Sequence, residues 1–459
     1  MMQNEFLVPA QNVPVHTFDV AVVGGGTGGV IAAIAAARAG AKTVLIESKG
    51  YLGGTVVEGG TAPHSFFNNW KKFGREKVQL VRGIPSELVD RMTAAGGCTG
   101  HCELESGYEL DSVCTAIDTE IYKRVAHEMV EEAGVTTYMN TFMTGAVMKD
   151  GTIDAVTISN HSGVSAVRAG CFVDATGYGD LCAAAGASYT EPNDIGIAAP
   201  MGVAGVDMDK YAEYFNTLGA RTDYARGLRD GKPDGIVRVD GRMDLLPEEF
   251  RKECAKIGMA LTVTSTHKEY FMFVKLNYDL PVSPTDRDAM SDAEILLRRR
   301  QAKAIELLRK YVPGCEGAYI ARTTPSACIR RARCILCDYD LTNEDITSGR
   351  HFADDVFAYG YHDEIPFNVA EGGSYGFPYR AMLPQGIENL FATGMMITSN
   401  HHAHMSTRNT VSCMAQGQAA GTAAALCAKN GKTTRALDYA LLRGTLVENG
   451  AYLTEQGSL

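Results

Sequence analysis

Three histidines and an arginine lie close together towards the C-terminal end of the sequence: His401, His402, His404 and Arg408. Histidine titrates near neutral pH, so His402 and His404 suit proton transfer or the stabilisation of an oxyanion. Arg408 suits a carboxylate or an enolate, because its guanidinium is always charged and can bind two oxygens. This cluster of titratable groups predicts an active site. The alternative is that these side chains bind a cofactor or pair with acids.

A glycine-rich turn near the N-terminus predicts where a cofactor binds. The apolar run from Asp19 to Val23 is followed by Gly24-Gly25-Gly26-Thr27-Gly28-Gly29, by an Ala-rich helix, and by a second apolar run that Glu47 closes. Strand, G-x-G-x-x-G turn, helix, strand and an acid about 20 residues further on form the dinucleotide fingerprint. The glycines let backbone N–H groups approach a pyrophosphate at the helix N-terminus. Glu47 can accept hydrogen bonds from both hydroxyls of a ribose.

The remaining elements predict an α/β fold around this unit. Two further strands end in glycine, one running into Asp174-Ala175-Thr176-Gly177 and one ending at Gly394. Apolar runs over 135–159 predict a β-meander beside the first unit. A long Ala-rich helix at 411–429 contains small residues that permit close packing on the first helix.

The middle of the chain predicts a separate lobe. Residues 207–309 are richer in charge and have no glycine turn after a strand. We therefore expect a Rossmann-like domain made of 15–195 and 320–459, with an inserted α+β substrate or cap lobe at 196–319. Residues 96–112 are expected to leave the main sheet.

Composition narrows the classes of partner and compartment. A net charge of −11 at pH 7 argues against a nucleic acid or an anionic membrane as partner. Residues 1–16 lack the features of a secretory signal, and no run approaches the ~20 apolar residues of a membrane span, so we expect a soluble cytoplasmic protein. The 12 cysteines are then interpreted as reduced thiols. No metal site is predicted, because the cysteine spacings match neither zinc nor ferredoxin sites: Cys98, Cys102, Cys328, Cys334 and Cys337.

Taken together, several motifs resemble those of flavoproteins. Gly24–Gly29 with Glu47, Asp174-Ala175-Thr176-Gly177, and Asn389-Leu390-Phe391-Ala392-Thr393-Gly394 look like the FAD-binding fold of the glutathione-reductase type. The closer resemblance is to the broad FAD-dependent oxidoreductase family related to the fumarate reductase and succinate dehydrogenase flavoproteins. It rests on Leu52-Gly53-Gly54, Asp174 to Asp180, Tyr375 to Pro384, and His404 to Gly421. The likeness covers most of 19–190 and 320–430.

The resemblance implies FAD as the cofactor and roles for individual residues. Glu47 would hold the adenosine ribose, Met143 would lie near the adenine, and the helix start at Val411–Ser412 would direct its positive end at the flavin. The stretch His401–Arg408 precedes this helix, and from that position we expect it to lie between the flavin and the substrate pocket. Arg408 is then expected to hold the substrate's electron-withdrawing group, with His404 or His402 nearby as the proton donor or hydrogen-bond donor. The implied cofactor-binding residues are Gly24, Gly25, Gly26, Thr27, Gly28, Gly29, Glu47, Ser48, Gly53, Gly54, Thr55, Met143, Ala175, Thr176, Gly177, Asp180, Gly394, Met395 and Ser412.

Departures from the family pattern refine these expectations. Some relatives attach FAD covalently through a histidine after the ribose acid, but 48–58 contains none, so we expect non-covalent FAD, with His64 as the nearest alternative. The full arginine set that clamps dicarboxylates in fumarate reductases is not found, which argues against fumarate. The Arg330-Arg331 pair is expected to form a solvated or ion-paired face.

The expected function is an FAD-dependent oxidoreductase acting on a small organic substrate. A hydride would pass between flavin N5 and the substrate, in the reduction of an activated C=C bond or the reverse dehydrogenation. Dehydrogenation of a C–OH bond and a non-redox nucleotide-binding or biosynthetic scaffold are the alternatives. One full G-x-G-x-x-G argues against a separate NAD(P) domain. The electron donor or acceptor and a homo-oligomeric state stay open.

Overall fold

The computed structural model describes residue 10 and residues 12–60, 62–397 and 399–454. The prediction of no secretory signal rests on residues 1–16, of which 1–9 and 11 lie outside the described residues. Residues 398 and 455–459 of the predicted main domain, and residue 61, also lie outside them. Among the helices that are described, none is both long enough and apolar enough to cross a membrane.

A largely parallel sheet forms the centre of the fold, and we name it the main sheet. Five of its strands run parallel: Thr136–Tyr138, Thr43–Ile46, Val15–Val23, Gly163–Asp174 and Leu390–Ala392. Thr152–Asn160 and Phe142–Lys149 continue it as an antiparallel meander from Gly163–Asp174. Residues 20–23 are fully or almost fully buried, because helices or other chain cover both faces of such a sheet. The predicted α/β fold and its β-meander are confirmed.

Two helices pack closely on each other beside this sheet. The first helix is Thr27–Arg38, and the inner helix is Thr410–Asn430. A Cβ atom at Gly417 would lie 2.2 Å from the carbonyl oxygen of Gly28, and one at Gly421 would lie 2.0 Å from that of Ala32. The predicted close packing through small residues is therefore confirmed.

Smaller elements complete this part of the chain. The helices are Thr55–Gly59, Trp70–Phe73, Ile84–Ala94, Thr119–Glu132, Asp180–Ala184, Asn343–Thr347, His401–Thr407 and Tyr439–Glu448. We name His401–Thr407 the histidine helix. Two short strand pairs are formed by Tyr189–Thr190 with Cys334–Ile335, and by Asp355–Tyr359 with Tyr375–Pro378.

Two further sheets form a lobe beside the main sheet. The first contains Val263–Thr264, Lys232–Gly241, Arg221–Arg229, Cys102–Ser106 and Val113–Cys114, and the second contains Ile197–Ala198, Tyr270–Tyr278, Met201–Ala204, Tyr319–Thr323 and Met259–Ala260. Helices Met208–Thr217, Glu248–Ile257 and Arg287–Tyr311 pack with them around a separate buried core.

The lobe takes strands from two distant parts of the sequence. Leu104 pairs with Ala225 and Ser106 with Tyr224, so residues 96–112 leave the main sheet as expected. They join the first sheet of the lobe, although the predicted division assigns them to the main domain. The boundaries 196–319 therefore stay a prediction, and the sheet pairing itself extends beyond them.

Candidate active site

A cavity of about 270 Å³ opens at the carboxyl ends of the parallel strands, where open α/β sheets bind their ligands. We name it the first cavity. Most of the predicted cofactor-binding residues line it: Gly24, Gly26, Thr27, Gly28, Glu47, Ser48, Gly54, Thr55, Met143, Ala175, Thr176, Gly177, Asp180, Gly394 and Met395. The fold thus brings together residues that lie far apart in the sequence.

The glycine turn has the shape that a pyrophosphate requires. Gly24 has a φ of +97°, and a Cβ there would lie 2.5 Å from the carbonyl oxygen of Ala175. At Gly29, a Cβ would lie 1.8 Å from the carbonyl oxygen of Gly24. Gly26 precedes the first helix and has no side chain that could cap the uncharged first turn. The N-terminus of the first helix therefore fits an anion.

Glu47 is buried, directly follows strand Thr43–Ile46 and accepts a hydrogen bond from the glycine turn. Its Oε2 accepts a hydrogen bond from the backbone N of Gly25 at 2.6 Å. Its Oε1 accepts from the N of Lys49 at 2.7 Å and from the Oγ of Ser48 at 3.1 Å. An ionised carboxylate has about four acceptor positions, and these donors fill three of them. Oε2 can therefore accept one ribose hydroxyl, and Oε1 can accept the other when the hydroxyl of Ser48 turns away. This arrangement of acceptors fits the adenosine half of FAD.

Asp174 positions the second segment of the cavity wall. Its Oδ1 accepts from the N and Oγ of Thr176 at 3.0 and 2.8 Å, and its Oδ2 accepts from the N of Cys182 at 2.8 Å. The side chain is fully buried, which raises the pKa of its carboxyl. These bonds fix Ala175 to Gly177 against the glycine turn.

Four predicted cofactor residues lie behind the wall of the first cavity. Gly25 donates to Glu47, Gly29 packs on Gly24, and the N of Gly53 donates to the carbonyl oxygen of Gly25 at 2.8 Å. Ser412 is buried in the inner helix, where its Oγ accepts from the Nε2 of Gln416 at 3.2 Å. Their positions support the shape of the cavity, and direct contact with a cofactor stays a prediction for each.

Sequence reasoning missed a polar cluster in the same wall. Lys49 and Glu58 form an ion pair, and the hydroxyl of Tyr51 donates to Oε1 of Glu58 at 3.0 Å. All three line the first cavity together with Tyr178. Burial, and then the charge of Glu58, raise the pKa of Tyr51. The segment after Glu47 was predicted to pass a cofactor, but no motif distinguishes these side chains in the sequence.

A second cavity of about 430 Å³ adjoins the first. Thr55, Ile329 and Met395 line both cavities, so the two are contiguous. The walls of the second cavity come from the main sheet region and from the lobe. Its acidic, basic and histidine lining residues are His64, Asp111, Asp223, Arg238, Asp240, Lys275, Arg330, Asp363 and Arg408.

Arg408 lies in the wall of the second cavity, which adjoins the first, and its predicted contact with a substrate stays a prediction. It follows the histidine helix, and its Nη2 donates to Oδ2 of Asp363. Its side chain is 14% exposed, and its Nε has no hydrogen-bond partner among the described residues. Because Arg408 also lines the second cavity, its guanidinium is able to bind a further acceptor from a ligand there.

The histidines of the same stretch point elsewhere, and neither His402 nor His404 lines either cavity. His404 is fully buried, with its Nε2 3.0 Å from the carbonyl oxygen of Arg330. Burial, and then the charges of Arg331 and Arg408, lower the pKa of His404 well below its usual range. The Nδ1 of His402, on an exposed side chain, lies 2.7 Å from Oε2 of Glu364. Residues that adjoin in sequence point in different directions on a helix, so their clustering did not place them at one site.

The Arg330-Arg331 pair does not form a solvated face. Arg331 is buried and forms an ion pair with Asp194 at 2.8 Å, which agrees with the ion-paired alternative. Arg330 instead lines the second cavity, and its Nη2 donates to the neutral Oδ1 of Asn277 at 2.8 Å. The expectation of a solvated pair was wrong because Arg331 is buried and Arg330 lines the second cavity.

Lys275 is a further cation in the second cavity that sequence reasoning missed. It comes from strand Tyr270–Tyr278 of the lobe and has no side-chain hydrogen bond or ion pair with any residue that the structure describes. Burial, and then the positive charge of Arg330, lower the pKa of Lys275 to about 8. Its amine is therefore present in both protonation states near neutral pH.

His64 offers a second titratable group in this cavity. Its Nδ1 lies 3.2 Å from Oδ2 of Asp111, and its ring stacks on Tyr361 with 5.2 Å between ring centroids. The sequence left open whether His64 faces a substrate, and the structure puts it in the second cavity.

Solved structures match this chain over most of its length at low sequence identity. A geranylgeranyl bacteriochlorophyll reductase-like protein from Thermoplasma acidophilum is 14% identical, with a TM-score of 0.49 over 95% of this chain and 83% of that one. The p-nitrophenol 4-monooxygenase of Pseudomonas putida is 14% identical, with a TM-score of 0.47 over 94% and 88%.

Curated relatives match a short segment of the chain. Leghemoglobin reductase from Glycine max is 42% identical over 92 residues, 16% of this chain and 18% of the relative. Glutathione reductase from Schizosaccharomyces pombe is 50% identical over 73 residues, 16% of each. The matched segments thus span less than a fifth of these relatives. The model of the family described as FAD dependent oxidoreductase matches residues 19–446, so the chain belongs to that family.

Proposed function

We propose that this enzyme binds FAD non-covalently in the first cavity and holds a small organic substrate in the second. When bound, FAD supplies a centre that accepts or donates a hydride. The reaction proposed is reduction of an activated C=C bond, or the reverse dehydrogenation. The observation that carries the proposal is the contiguity of the two cavities through Thr55, Ile329 and Met395.

Arg408 is proposed to hold the electron-withdrawing group of the substrate. Its guanidinium lines the second cavity and keeps one N–H unsatisfied, while Asp363 fixes its orientation. Negative charge that develops on a carbonyl or carboxylate oxygen would be stabilised there by a donor that is already in place. Arg330 adds a second positive charge to the same wall.

Lys275 is proposed to exchange the proton with the substrate. Its ammonium form can give a proton to a substrate carbon, and its neutral form can remove one in the reverse direction. A pKa of about 8 suits both directions near neutral pH. Lys275 replaces His402 and His404 in this role, because it lines the cavity whereas they do not.

Dehydrogenation of a C–OH bond is a second candidate, favoured by the same lysine. The neutral amine of Lys275 could accept the hydroxyl proton, and Arg408 could stabilise the alkoxide. We also propose a relation to the fumarate reductase flavoproteins. It rests on the motifs at Asp174–Asp180, Tyr375–Pro384 and His404–Gly421.

Anaerobic titration of the purified holoenzyme tests these proposals. Unsaturated acids and enones added to reduced enzyme should restore the visible absorbance of oxidised flavin, whereas hydroxy acids added to oxidised enzyme should bleach it. A non-redox scaffold would leave the spectrum unchanged with every compound. Acid precipitation should release the yellow chromophore into solution, and chromophore that stays on the denatured chain would show covalent attachment.

A further inference from the structure

Three potential metal ligands converge outside the two cavities. Within the described residues, one ligand atom each from Glu364, His401 and His402 lies within 4.8 Å of the others. The histidines occupy the first turn of the histidine helix, and Glu364 lies in the chain that follows strand Asp355–Tyr359. None of the three lines either cavity.

Both imidazole rings face the same carboxylate. The Nδ1 of His402 lies 2.7 Å from Oε2 of Glu364, and the Nε2 of His401 lies 3.4 Å from its Oε1. Two nitrogen donors and a carboxylate form a set that suits Zn²⁺ and other divalent transition-metal ions.

The second nitrogen of His401 is also directed at a carboxylate. Its Nδ1 lies 2.9 Å from Oδ2 of Asp194, and the same oxygen accepts from Nη1 of Arg331 at 2.8 Å. Carboxylates commonly hold the outer nitrogen of a metal-bound histidine in this way. If Nδ1 donates to Asp194, the lone pair of Nε2 faces the carboxylate oxygen of Glu364. Two acceptors face each other stably only if a proton or a cation lies between them.

We propose that Glu364, His401 and His402 bind a divalent transition-metal ion, with Zn²⁺ as its representative, and that Asp194 orients His401 behind it. Three protein ligands leave at least one coordination position for water. The bound ion joins the start of the histidine helix to the chain at Glu364. Asp363 precedes Glu364 and pairs with Arg408 at the other end of that helix, so the ion stabilises the wall of the second cavity without lining it.

Isothermal titration of Zn²⁺ into untagged, chelator-treated holoenzyme tests the site. We expect one saturable site with a Kd of about 1 μM or tighter. His402→Ala should abolish it, and this variant should fold normally because the His402 side chain is exposed. Asp194→Asn should weaken binding by about 10-fold or more, the range seen when outer carboxylates are removed. The control is His161→Ala, which removes an exposed histidine from the turn between two meander strands.

Binding is measured as heat and as a Zn²⁺-dependent rise in Tm, so neither readout depends on turnover. The affinity should fall on acidification, because protons compete for the ligands. Absence of a saturable site in the wild type, or equal affinity in His402→Ala, would overturn the proposal. Failure of the flavin titrations would leave the metal result unaffected.

Discussion

Replacing Glu47 by alanine should weaken FAD binding and also destabilise the apoprotein. The carboxylate of Glu47 lines the first cavity, where it is proposed to hold the adenosine ribose. The same carboxylate accepts from the backbone N–H groups of Gly25 and Lys49 at 2.6 and 2.7 Å. Alanine removes both sets of interactions, so two separate losses are expected.

The two losses have different magnitudes and different observables. Hydrogen bonds to a charged group contribute about 1.5–3 kcal/mol each. Loss of two bonds from ribose hydroxyls should therefore cost about 3–6 kcal/mol of binding, or about 10²–10⁴-fold in Kd. A buried N–H of Gly25 without an acceptor costs a further ~1–3 kcal/mol, which lowers the Tm of the apoprotein.

The assay is a fluorescence titration of apoprotein with FAD, combined with thermal unfolding of the same apoprotein. Glu47→Gln is the intermediate variant, because its amide oxygen can still accept from Gly25 while the charge is lost. Glu131→Ala, which removes an exposed acid from the surface of helix Thr119–Glu132, is the control and should change neither quantity. A Kd for Glu47→Ala within about threefold of wild type would refute the assignment of Glu47 as the ribose acid.

Three further predictions concern the second cavity and the helix packing. Arg408→Ala should lower the rate of flavin turnover by about 10²-fold or more while the flavin spectrum persists; equal rates in Arg408→Ala and in the surface control Arg287→Ala would contradict its role. If protonated Lys275 is the donor, reductive kcat/KM should fall as pH rises through about 8, and Lys275→Met should lose this limb while Lys252→Met keeps it. Gly417→Ala should lower stability by about 1–3 kcal/mol, since its Cβ would overlap the neighbouring helix. Gly444→Ala, where no atom lies within 4 Å of the new Cβ, should not destabilise the protein in the same unfolding measurement.

The cofactor site could be predicted from the sequence because its determinants are local. Gly24 and Gly29 must be glycines because a Cβ at either position would overlap neighbouring backbone. In the fingerprint, Gly26 lets the backbone approach the pyrophosphate, and Glu47 follows at a distance that one helix and one strand fix. Asp174 to Gly177 could be added because this segment also follows a strand directly. Each of these signals lies within a short continuous stretch of chain, so it can be recognised in a single sequence.

The second cavity could not be predicted in the same way. Lys275 and Arg330 lie on separate segments, and no spacing in the sequence indicates that they share a wall with Arg408. For His402 and His404, the sequence predicted a place in the active site, but neither side chain lines a cavity. They adjoin Arg408 in sequence, but the helical rotation directs His404 into the protein and leaves His402 exposed.

The strand Cys102–Ser106 has a consequence for engineering substrate specificity in this enzyme. Because it pairs with Arg221–Arg229, the chain crosses between main sheet and lobe before the long insertion begins. If residues 196–319 were removed, strand Cys102–Ser106 would lose its partner Arg221–Arg229. Its open edge could then pair with other chains. A chimera that imports the lobe of a relative must therefore exchange both segments together. The lobe is built from two distant stretches of the sequence, so substitutions in either stretch must preserve the strand pairing between them.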